Sequence, residues 1–150
     1  MMEIVLRKFE KEDAPALQQS GFASLSVEQT ENMIGEWNKG QVGGKSFEML
    51  AVLHRDVIVG TVSLYQHSDT VLSIGPEIFF DYRQKGFAKK AMGLAMEMAR
   101  KKGYRIVSQQ IRTNNDASIA LHQALGFETN GAVYTNAKGN PVSIYLKSLV

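Results

Sequence analysis

The sequence predicts a mixed α/β domain of the α+β type, with about seven strands and about four helices in one unit spanning residues 1–150. The chain has 150 residues and is 44% hydrophobic, which suffices for one core. Runs rich in β-branched residues alternate with segments whose apolar residues recur every three or four positions. Short polar connections join neighbouring strand segments, as in antiparallel hairpins.

The N-terminal part predicts one strand followed by two helices. Ile4–Phe9 has the apolar and β-branched character of a strand, and a helix is expected from about residue 13 to 22. Ser26 and Gln29 have the spacing of a capping box, in which each side chain bonds the other residue's backbone. They predict a second helix that ends near Trp37.

Three strands are predicted next. Phe47–Leu53 and Val57–Tyr65 are apolar, and only three polar residues separate them, which favours an antiparallel hairpin. Val71–Phe80 has the same character and predicts a further strand.

The strongest helical signal follows Gly86. Apolar residues recur there at helical spacing, and Lys101, Lys102 and Gly103 supply a basic last turn and a glycine stop. A strand over Arg105–Arg112 and a shorter helix that ends at Gly126 come next.

The last predicted element is a hairpin of Phe127–Tyr134 with Val142–Leu149. The predicted order is therefore β-α-α-β-β-β-α-β-α-β-β.

Composition excludes several classes of protein. The chain has no cysteine, which rules out disulfides, thiolate metal sites and a cysteine nucleophile. His54, His67 and His122 are too scattered in sequence to predict a metal site. No apolar run is long enough for a signal peptide or membrane span, so a cytoplasmic protein is expected. A net charge of +2 gives no reason to expect a nucleic-acid partner.

The segment Gly40–Ser46 ends in Gly-Lys-Ser, like the phosphate loop of nucleotide hydrolases. That loop needs a glycine where this chain has Lys39, and it lies between a strand and a helix. Here a helix precedes and a strand follows, so a flexible connection is expected instead.

The segment Arg83–Ala88 lies where a strand ends and the strongest helix begins. Unpaired N–H groups of a first helical turn bind anions, and Gly86 would let a pyrophosphate approach the backbone. Alternatively, Gly86 only eases the turn and the nearby lysines are solvated. A nucleic-acid site is disfavoured because no exposed aromatics interleave with these basic residues.

Asn115 and His122 are seven positions apart, almost two helical turns, so both are expected beside the apolar stripe of the shorter helix, flanking one ligand. Alternatively, Asn115 caps the helix and His122 borders the core.

Together these two segments resemble the GNAT superfamily of acetyl-CoA-dependent N-acetyltransferases. Its Arg/Gln-x-x-Gly-x-Gly/Ala motif is matched by Arg83, Gly86 and Ala88, and its Asn-to-Gly-Phe motif by residues 115–127. The resemblance covers essentially the whole chain and implies a mixed, mostly antiparallel central sheet. His122 replaces a tyrosine that is frequent in the family, and Gln110 replaces the glutamate base of the branch that acetylates ribosomal-protein N-termini.

The resemblance implies transfer of an acetyl group from acetyl-CoA to a primary amine, of a small molecule or of a protein. It places a bulge in the fourth predicted strand, whose backbone would pair with the pantetheine arm and face the thioester oxygen. The following loop would bind the pyrophosphate, with Arg83, Lys85, Lys89 or Lys90 screening phosphate charge. The expected cofactor-binding residues are Ile78, Phe79, Phe80, Arg83, Gln84, Lys85, Gly86, Phe87, Ala88, Lys89, Asn115 and His122.

Two residues are candidate catalysts. His122 occupies the family's tyrosine position and would protonate the departing thiolate, a task that water could also perform. Glu77 is the acidic residue nearest the expected reaction centre and is the candidate base, with water relayed by Gln110 as its rival.

The amine acceptor is not specified by any motif. Its pocket is expected between the first two helices, their connection and residues 66–70. The replaced tyrosine and glutamate also fit a different class of protein, a catalytically weak acyl-CoA sensor or scaffold. In this family the final hairpin often pairs two copies of the chain, so a homodimer is a further expectation.

Overall fold

The computed structural model describes residues 3–150; Met1 and Met2, which the predicted domain includes, lie outside the described residues. The strands are β1 Val5–Lys8, β2 Gln41–Val42, β3 Lys45–His54, β4 Val57–Gln66, β5 Val71–Ile78, β6 Ile106–Arg112, β7 Tyr134–Thr135 and β8 Pro141–Ser148. The α-helices are α1 Ala14–Gly21, α2 Val27–Trp37, α3 Phe87–Lys101 and α4 Asp116–Ala124. Within residues 3–150, no helix combines the length and the apolar character needed to cross a membrane.

The strands form one mixed, mostly antiparallel sheet in the order β1-β3-β4-β5-β6-β8-β7, with β2 added to β3. Neighbouring strands are antiparallel except β5 and β6, which are parallel. This parallel pairing covers only two positions, Val71 with Ile106 and Leu72 with Val107. The predicted α/β architecture and its mostly antiparallel sheet are confirmed.

Each face of the sheet packs against different helices. Ala91, Met92, Ala95 and Ala99 of α3 are fully buried against the apolar residues that alternate along β4 and β5. On the opposite face, Leu17 of α1 and Ile34 of α2 cover one half of the sheet. The other half of this second face is not covered by α1 or α2.

Local signals explain why the helices begin where they do. The Ser26 hydroxyl accepts a hydrogen bond from the Gln29 N–H at 3.0 Å, and the Gln29 side chain accepts one from the Ser26 N–H at 2.9 Å. This capping box starts α2 as predicted.

In the sheet, Gly60 allows β4 and β5 to approach each other closely, since a Cβ there would lie 2.4 Å from the Glu77 carbonyl oxygen.

Three expectations are wrong. Residues 40–46, expected to be a flexible connection, instead belong to a hairpin of β2 and β3, whose turn residues Gly43 and Gly44 have φ angles of 57° and 78°. Phe127–Tyr134 is not a strand: Glu128 forms an isolated bridge with Leu146, and only β7 pairs regularly.

The bulge expected in the fourth predicted strand is the third difference. β5 pairs with β4 without a register shift from Leu72 to Ile78, and the irregularity lies instead between β3 and β4, at Val59. β5 also ends two residues earlier than predicted, because Phe80–Tyr82 forms a 3₁₀ helix.

Candidate active site

The sheet opens between β5 and β6. After Leu72 and Val107 the parallel ladder stops, although β5 continues to Ile78 and β6 continues to Arg112. The two halves of the sheet therefore separate at this point and leave a gap between two strand edges.

The side chain of Gln109 bridges the start of this gap. Its carboxamide oxygen accepts a hydrogen bond from the Ile74 N–H at 2.9 Å, and its NH₂ group donates to the Ile74 carbonyl oxygen. Gln109 is 7% exposed, so both bonds lie inside the protein. A side chain thus satisfies the backbone group that a neighbouring strand would otherwise pair.

Beyond Gln109, no strand within residues 3–150 pairs with the edge of β5 that faces the gap. Phe79 donates its N–H to the Val59 carbonyl at 2.9 Å. The adjacent pair, Ile78 opposite Gly60, is therefore a pair whose backbone groups do not bond each other, as alternate pairs of an antiparallel ladder do not. The Ile78 N–H consequently points away from β4 and into the gap. Two residues earlier, Pro76 has no N–H. Ile78 therefore offers the free backbone donor of this edge, and Pro76 offers a carbonyl acceptor.

The loop after β5 leads into the N-terminus of α3. Gln84 and Gly86 have φ angles of 62° and 83°, and this left-handed backbone turns consecutive N–H groups toward the same side. Among residues 3–150, no acceptor bonds the backbone N–H groups of residues 84–89. These free donors at the positive end of the helix dipole have the properties that an anion site requires, and the anion site itself stays a prediction.

A cleft of about 610 Å³ joins the open strand edge to this helix N-terminus. It brings together most of the residues predicted to bind the cofactor. Its lining is Pro76, Glu77, Ile78, Tyr82, Arg83, Gln84, Gly86, Phe87, Ala88, Lys89, Asn115, Ala117, Ser118 and Leu121. We call it the donor cleft, after the free backbone N–H donors that line it.

Phe79 and Phe80 do not belong to the donor cleft, contrary to expectation. Both backbone groups of Phe79 are used, because its carbonyl accepts the Tyr82 N–H at 2.9 Å, and its ring packs edge to face on Phe22. Phe80 lies in the 3₁₀ helix with its side chain 81% exposed. Lys85 and Lys90 are also absent from the lining, whereas Lys89 is part of it.

Arg83 and Glu77 form a pair at the end of β5. The Arg83 Nε donates to the Ile78 carbonyl at 2.8 Å, and its Nη2 lies 3.2 Å from a Glu77 carboxylate oxygen. Arg83 thereby occupies the last carbonyl of the strand and fixes the loop. The Glu77 side chain is 67% exposed, and its partner is this guanidinium rather than a group deeper in the gap.

Asn115 and His122 line different clefts. Asn115 is the N-cap of α4, and its carboxamide oxygen accepts the Ser118 N–H at 3.1 Å, as the capping alternative predicts. It still lines the donor cleft, where its NH₂ group remains to donate. His122 lines a second cleft on the other side of Ser118.

His122 is buried, with 3% of its surface exposed, and both ring nitrogens have partners. Nδ1 lies 2.7 Å from the Ser118 carbonyl oxygen, which can only accept, so Nδ1 carries the proton. Nε2 lies 3.1 Å from the Gln109 NH₂ group and accepts from it. Burial lowers the pKa of His122, partly opposed by the bond to Ser118, so the ring is neutral near pH 7.

The second cleft, of about 730 Å³, meets the donor cleft at Pro76 and Ser118. We call it the acceptor cleft, because it is the candidate pocket for the expected amine acceptor. Its remaining lining, beside His122, is Ser63, Tyr65, His67, Val71, Ser73, Ile74, Gly75, Ser108, Gln109, Gln110, Ile111 and Ile144. His67 comes from the predicted 66–70 segment, but no residue of α1 or α2 lines it.

Inside the acceptor cleft, hydroxyl and ring groups form a short chain of hydrogen bonds. The Ser73 hydroxyl donates to the Ser108 carbonyl at 2.5 Å and lies 2.6 Å from the His67 Nε2. Because the Ser73 hydroxyl proton is already donated to the Ser108 carbonyl, the His67 Nε2–H is the donor to the Ser73 oxygen. The lining of the cleft mixes polar and apolar side chains and carries no carboxylate.

Gln109 is the site residue that the motifs did not reveal. A signal was present, since Val107, Gln109 and Ile111 alternate along β6 and share the inward face. A glutamine between two buried aliphatic residues predicts a buried polar group with specific partners.

Comparison with known proteins decides the family. The family model of the acetyltransferase (GNAT) domain matches residues 3–128, well over half of the chain. The chain belongs to the GNAT acetyltransferase family. The predicted fold and family are confirmed, and the family is one of acyltransferases.

This GNAT domain is similar in sequence to a curated bacterial protein. It is 29% identical over 115 residues to an uncharacterized N-acetyltransferase, YokL, from the SPbeta prophage of Bacillus subtilis (strain 168). That match covers 72% of this chain and 63% of YokL. The chain thus spans less than two thirds of this curated relative.

Solved structures share the fold of the GNAT domain at low identity. RimL, a ribosomal L7/L12 alpha-N-protein acetyltransferase in complex with coenzyme A, superposes with a TM-score of 0.80 at 18% identity, covering 97% of this chain and 93% of RimL. YncA from Salmonella typhimurium, a putative acetyltransferase with its cofactor acetyl-CoA, gives 0.69 at 16% identity, covering 99% and 95%.

Proposed function

We propose that this GNAT domain transfers an acetyl group from acetyl-CoA to a primary amine. One observation carries the proposal: the unpaired edge of β5 leads directly to the free N–H groups at the start of α3. An extended arm that ends in a pyrophosphate matches this succession of donors and acceptors. The acetyl-CoA bound to YncA and the coenzyme A bound to RimL belong to this ligand class.

The residues of the donor cleft divide the binding task. Ile78 and Pro76 pair with the amides of the pantetheine arm, and the N–H groups of residues 84–89 bind the pyrophosphate. Lys89 screens phosphate charge from the first turn of α3. Arg83 acts indirectly, because its guanidinium holds the Ile78 carbonyl and Glu77.

The reaction joins the two clefts where they meet at Pro76 and Ser118. The neutral amine enters from the acceptor cleft and attacks the thioester carbonyl, forming a C–N bond. The resulting oxyanion collapses as the C–S bond breaks, and the thiolate leaves. The ammonium formed loses one proton and the thiolate gains one, so no net proton is consumed.

Water is the proton donor that the site favours. The Nδ1–H of His122 bonds a backbone carbonyl, and its Nε2 accepts from Gln109, so the neutral ring has no proton to give at that nitrogen. For the base, Gln110 lines the acceptor cleft and can relay water, while Glu77 is paired with Arg83. Cytoplasmic location and pairing of two copies through the final hairpin stay predictions.

Calorimetry and turnover together test the proposal. Acetyl-CoA is titrated into the protein, and release of free thiol is then followed with a panel of neutral monoamines, polyamines and peptides. We expect binding, and turnover with at least one amine. Binding without turnover supports the sensor or scaffold alternative, and absence of binding contradicts both functions.

A further inference from the structure

We propose that Gln109 is a positioning residue: its carboxamide replaces the missing strand backbone opposite Ile74, limits how deeply the acetyl donor enters the gap, and fixes the proton of His122 on Nδ1. The part that concerns the acetyl donor rests on the proposed function. The part that concerns His122 does not.

The position of Gln109 follows from the register of the sheet. Leu72 pairs with Val107, so continuation of the parallel ladder by two residues would place Ile74 opposite Gln109. The strands have separated there, yet Ile74 keeps both hydrogen bonds because the glutamine side chain provides an acceptor and a donor. A carboxamide has the same donor and acceptor groups as a peptide unit.

The hydrogen bonds also determine the orientation of the Gln109 carboxamide. Its nitrogen faces two acceptors, the Ile74 carbonyl and the His122 Nε2, and its two N–H bonds serve both. The reversed orientation would place the carboxamide oxygen against a carbonyl oxygen. Because Gln109 can only donate to His122, Nε2 must be the unprotonated nitrogen and Nδ1 must donate to Ser118.

The consequence for the acetyl donor follows from strand geometry. Groups facing the gap recur every second residue along β5, a spacing of about 7 Å. With Ile74 occupied by Gln109, an arm entering from the α3 side finds Ile78 and Pro76 and then stops. Without Gln109, the groups of Ile74 become available and the arm can move deeper, carrying the thioester away from the acceptor cleft.

The first experiment measures the protonation of His122 by ¹⁵N-detected NMR of the imidazole, in the complete chain without ligand. In the wild type we expect Nδ1 protonated and Nε2 unprotonated near pH 7. In Gln109→Glu, a carboxylate facing Nε2 should draw a proton there and raise the pKa of His122. Gln110→Glu, on the opposite face of the same strand, should leave both nitrogens unchanged.

Two results would overturn this part of the proposal. One is a wild-type ring protonated at Nε2, which is measurable even if Gln109→Glu does not fold. The other is an equal response of His122 to both glutamate variants, which would indicate a general field effect instead of a specific hydrogen bond.

The second experiment compares kcat and KM for acetyl-CoA in Gln109→Leu, which keeps a similar volume. We expect kcat to fall by about a hundredfold, the size typical of a misplaced reacting group, while KM stays equal or decreases. A purely structural role would not lower kcat selectively in the folded variant. An unchanged kcat, or a KM that rises at constant kcat, would overturn the positioning role. If the wild type does not bind acetyl-CoA, the proposed function itself fails, whereas the NMR result stands independently.

Discussion

The β3–β4 hairpin and the β5–β6 junction use the same type of backbone in opposite ways. β3 pairs with β4 from Phe47 to His54, so the backbone groups between the strands bond each other. β5 and β6 share two paired positions and then separate. No strand within the described part of the chain pairs with the rest of this edge of β5, and the Gln109 side chain bonds Ile74 instead. Strand pairing stabilises the β3–β4 hairpin, and the absence of pairing at the β5–β6 junction leaves backbone groups available for a ligand.

This difference predicts that substitutions in the two regions separate stability from binding. In the hairpin, the apolar side chains are enclosed by helices and by the neighbouring strands, so their loss costs folding free energy. At the junction, the important groups are backbone donors and a few polar side chains. Changes there should alter binding or turnover more than unfolding.

The largest expected effect on stability is that of Leu50→Ala in β3. Leu50 is 2% exposed, and its removal leaves a cavity that costs about 2–5 kcal/mol of unfolding free energy. Urea denaturation measures this loss, and calorimetry below the transition should show unchanged acetyl-CoA affinity. Val57→Ala, at a residue 46% exposed at the start of β4, is the control and should cost less than about 0.5 kcal/mol. Weaker acetyl-CoA binding by folded Leu50→Ala would contradict the separation.

Gly86→Glu should have the largest effect on binding. A carboxylate would lie where the pyrophosphate is proposed, so acetyl-CoA affinity should fall roughly a hundredfold or more, about 3 kcal/mol. Gly86 has φ 83°, and Gly103 at the other end of α3 has φ 99° in open surroundings. Gly103→Glu therefore carries a comparable backbone strain without the ligand contact and should bind normally. Equal losses in the two variants would refute the anion site.

His122→Ala tests whether the ring is an acid or a structural group. With Nδ1–H committed to Ser118, we expect kcat to fall by less than about a hundredfold, the lower bound for a positioned general acid. Steady-state kinetics over a range of pH measure it. A loss of about 10²- to 10⁴-fold at constant KM, with partial recovery in His122→Tyr, would instead establish His122 as the acid.

Lys89→Ala should weaken CoA more than dephospho-CoA, because Lys89 is the lysine of the predicted cluster that lines the donor cleft. The loss should be about three- to tenfold, as for a partly exposed charged contact. Lys85→Ala should have a smaller effect, and Lys101→Ala at the far end of α3 should have none. Equal losses for the two ligands would show that Lys89 does not contact the 3′-phosphate.

The smallest expected effect is a dependence of stability on pH. The pKa of His122 is lowered in the folded chain, so below about pH 6.5 the unfolded chain binds the additional proton. Stability should therefore decrease as the pH falls from about 6.5 toward the folded pKa, by at most about 1.4 kcal/mol per pH unit. Thermal unfolding from pH 7 to 5 measures it, and His122→Gln should lose this slope while His67→Gln retains it. An equal slope in His122→Gln would contradict the buried neutral ring.

The sequence predicts the fold well where one local signal dominates. The capping box of α2, the glycine stop of α3 and the β3–β4 hairpin all form as expected. The turn of this hairpin is one residue shorter than predicted, because His54 pairs with Val57 and only Arg55 and Asp56 connect the strands. Phe127–Tyr134 has strand propensity but pairs in only two places, because strand pairing depends on a partner edge rather than on composition.

The donor cleft was also predictable in part. Its proposed anion site depends on a local motif, and that motif lies at the N-terminus of α3 as expected. The packing of Phe79 against Phe22 and the bridge from Gln109 to Ile74 depend on which strands separate, and that is a property of the whole sheet. Sequence periodicity shows which face a side chain occupies but not whether the neighbouring strand is within reach.

Pro76 has a consequence for the protein before any ligand arrives. An unpaired strand edge is a template for another extended chain, and proteins protect such edges against aggregation. Proline removes the N–H at the middle of the open segment, and the Gln109 carboxamide covers the position before it. An intruding strand of another molecule would meet one free donor, at Ile78, where a normal edge offers three. The same two residues that shape the gap for a small ligand therefore make it a poor docking site for a β-strand.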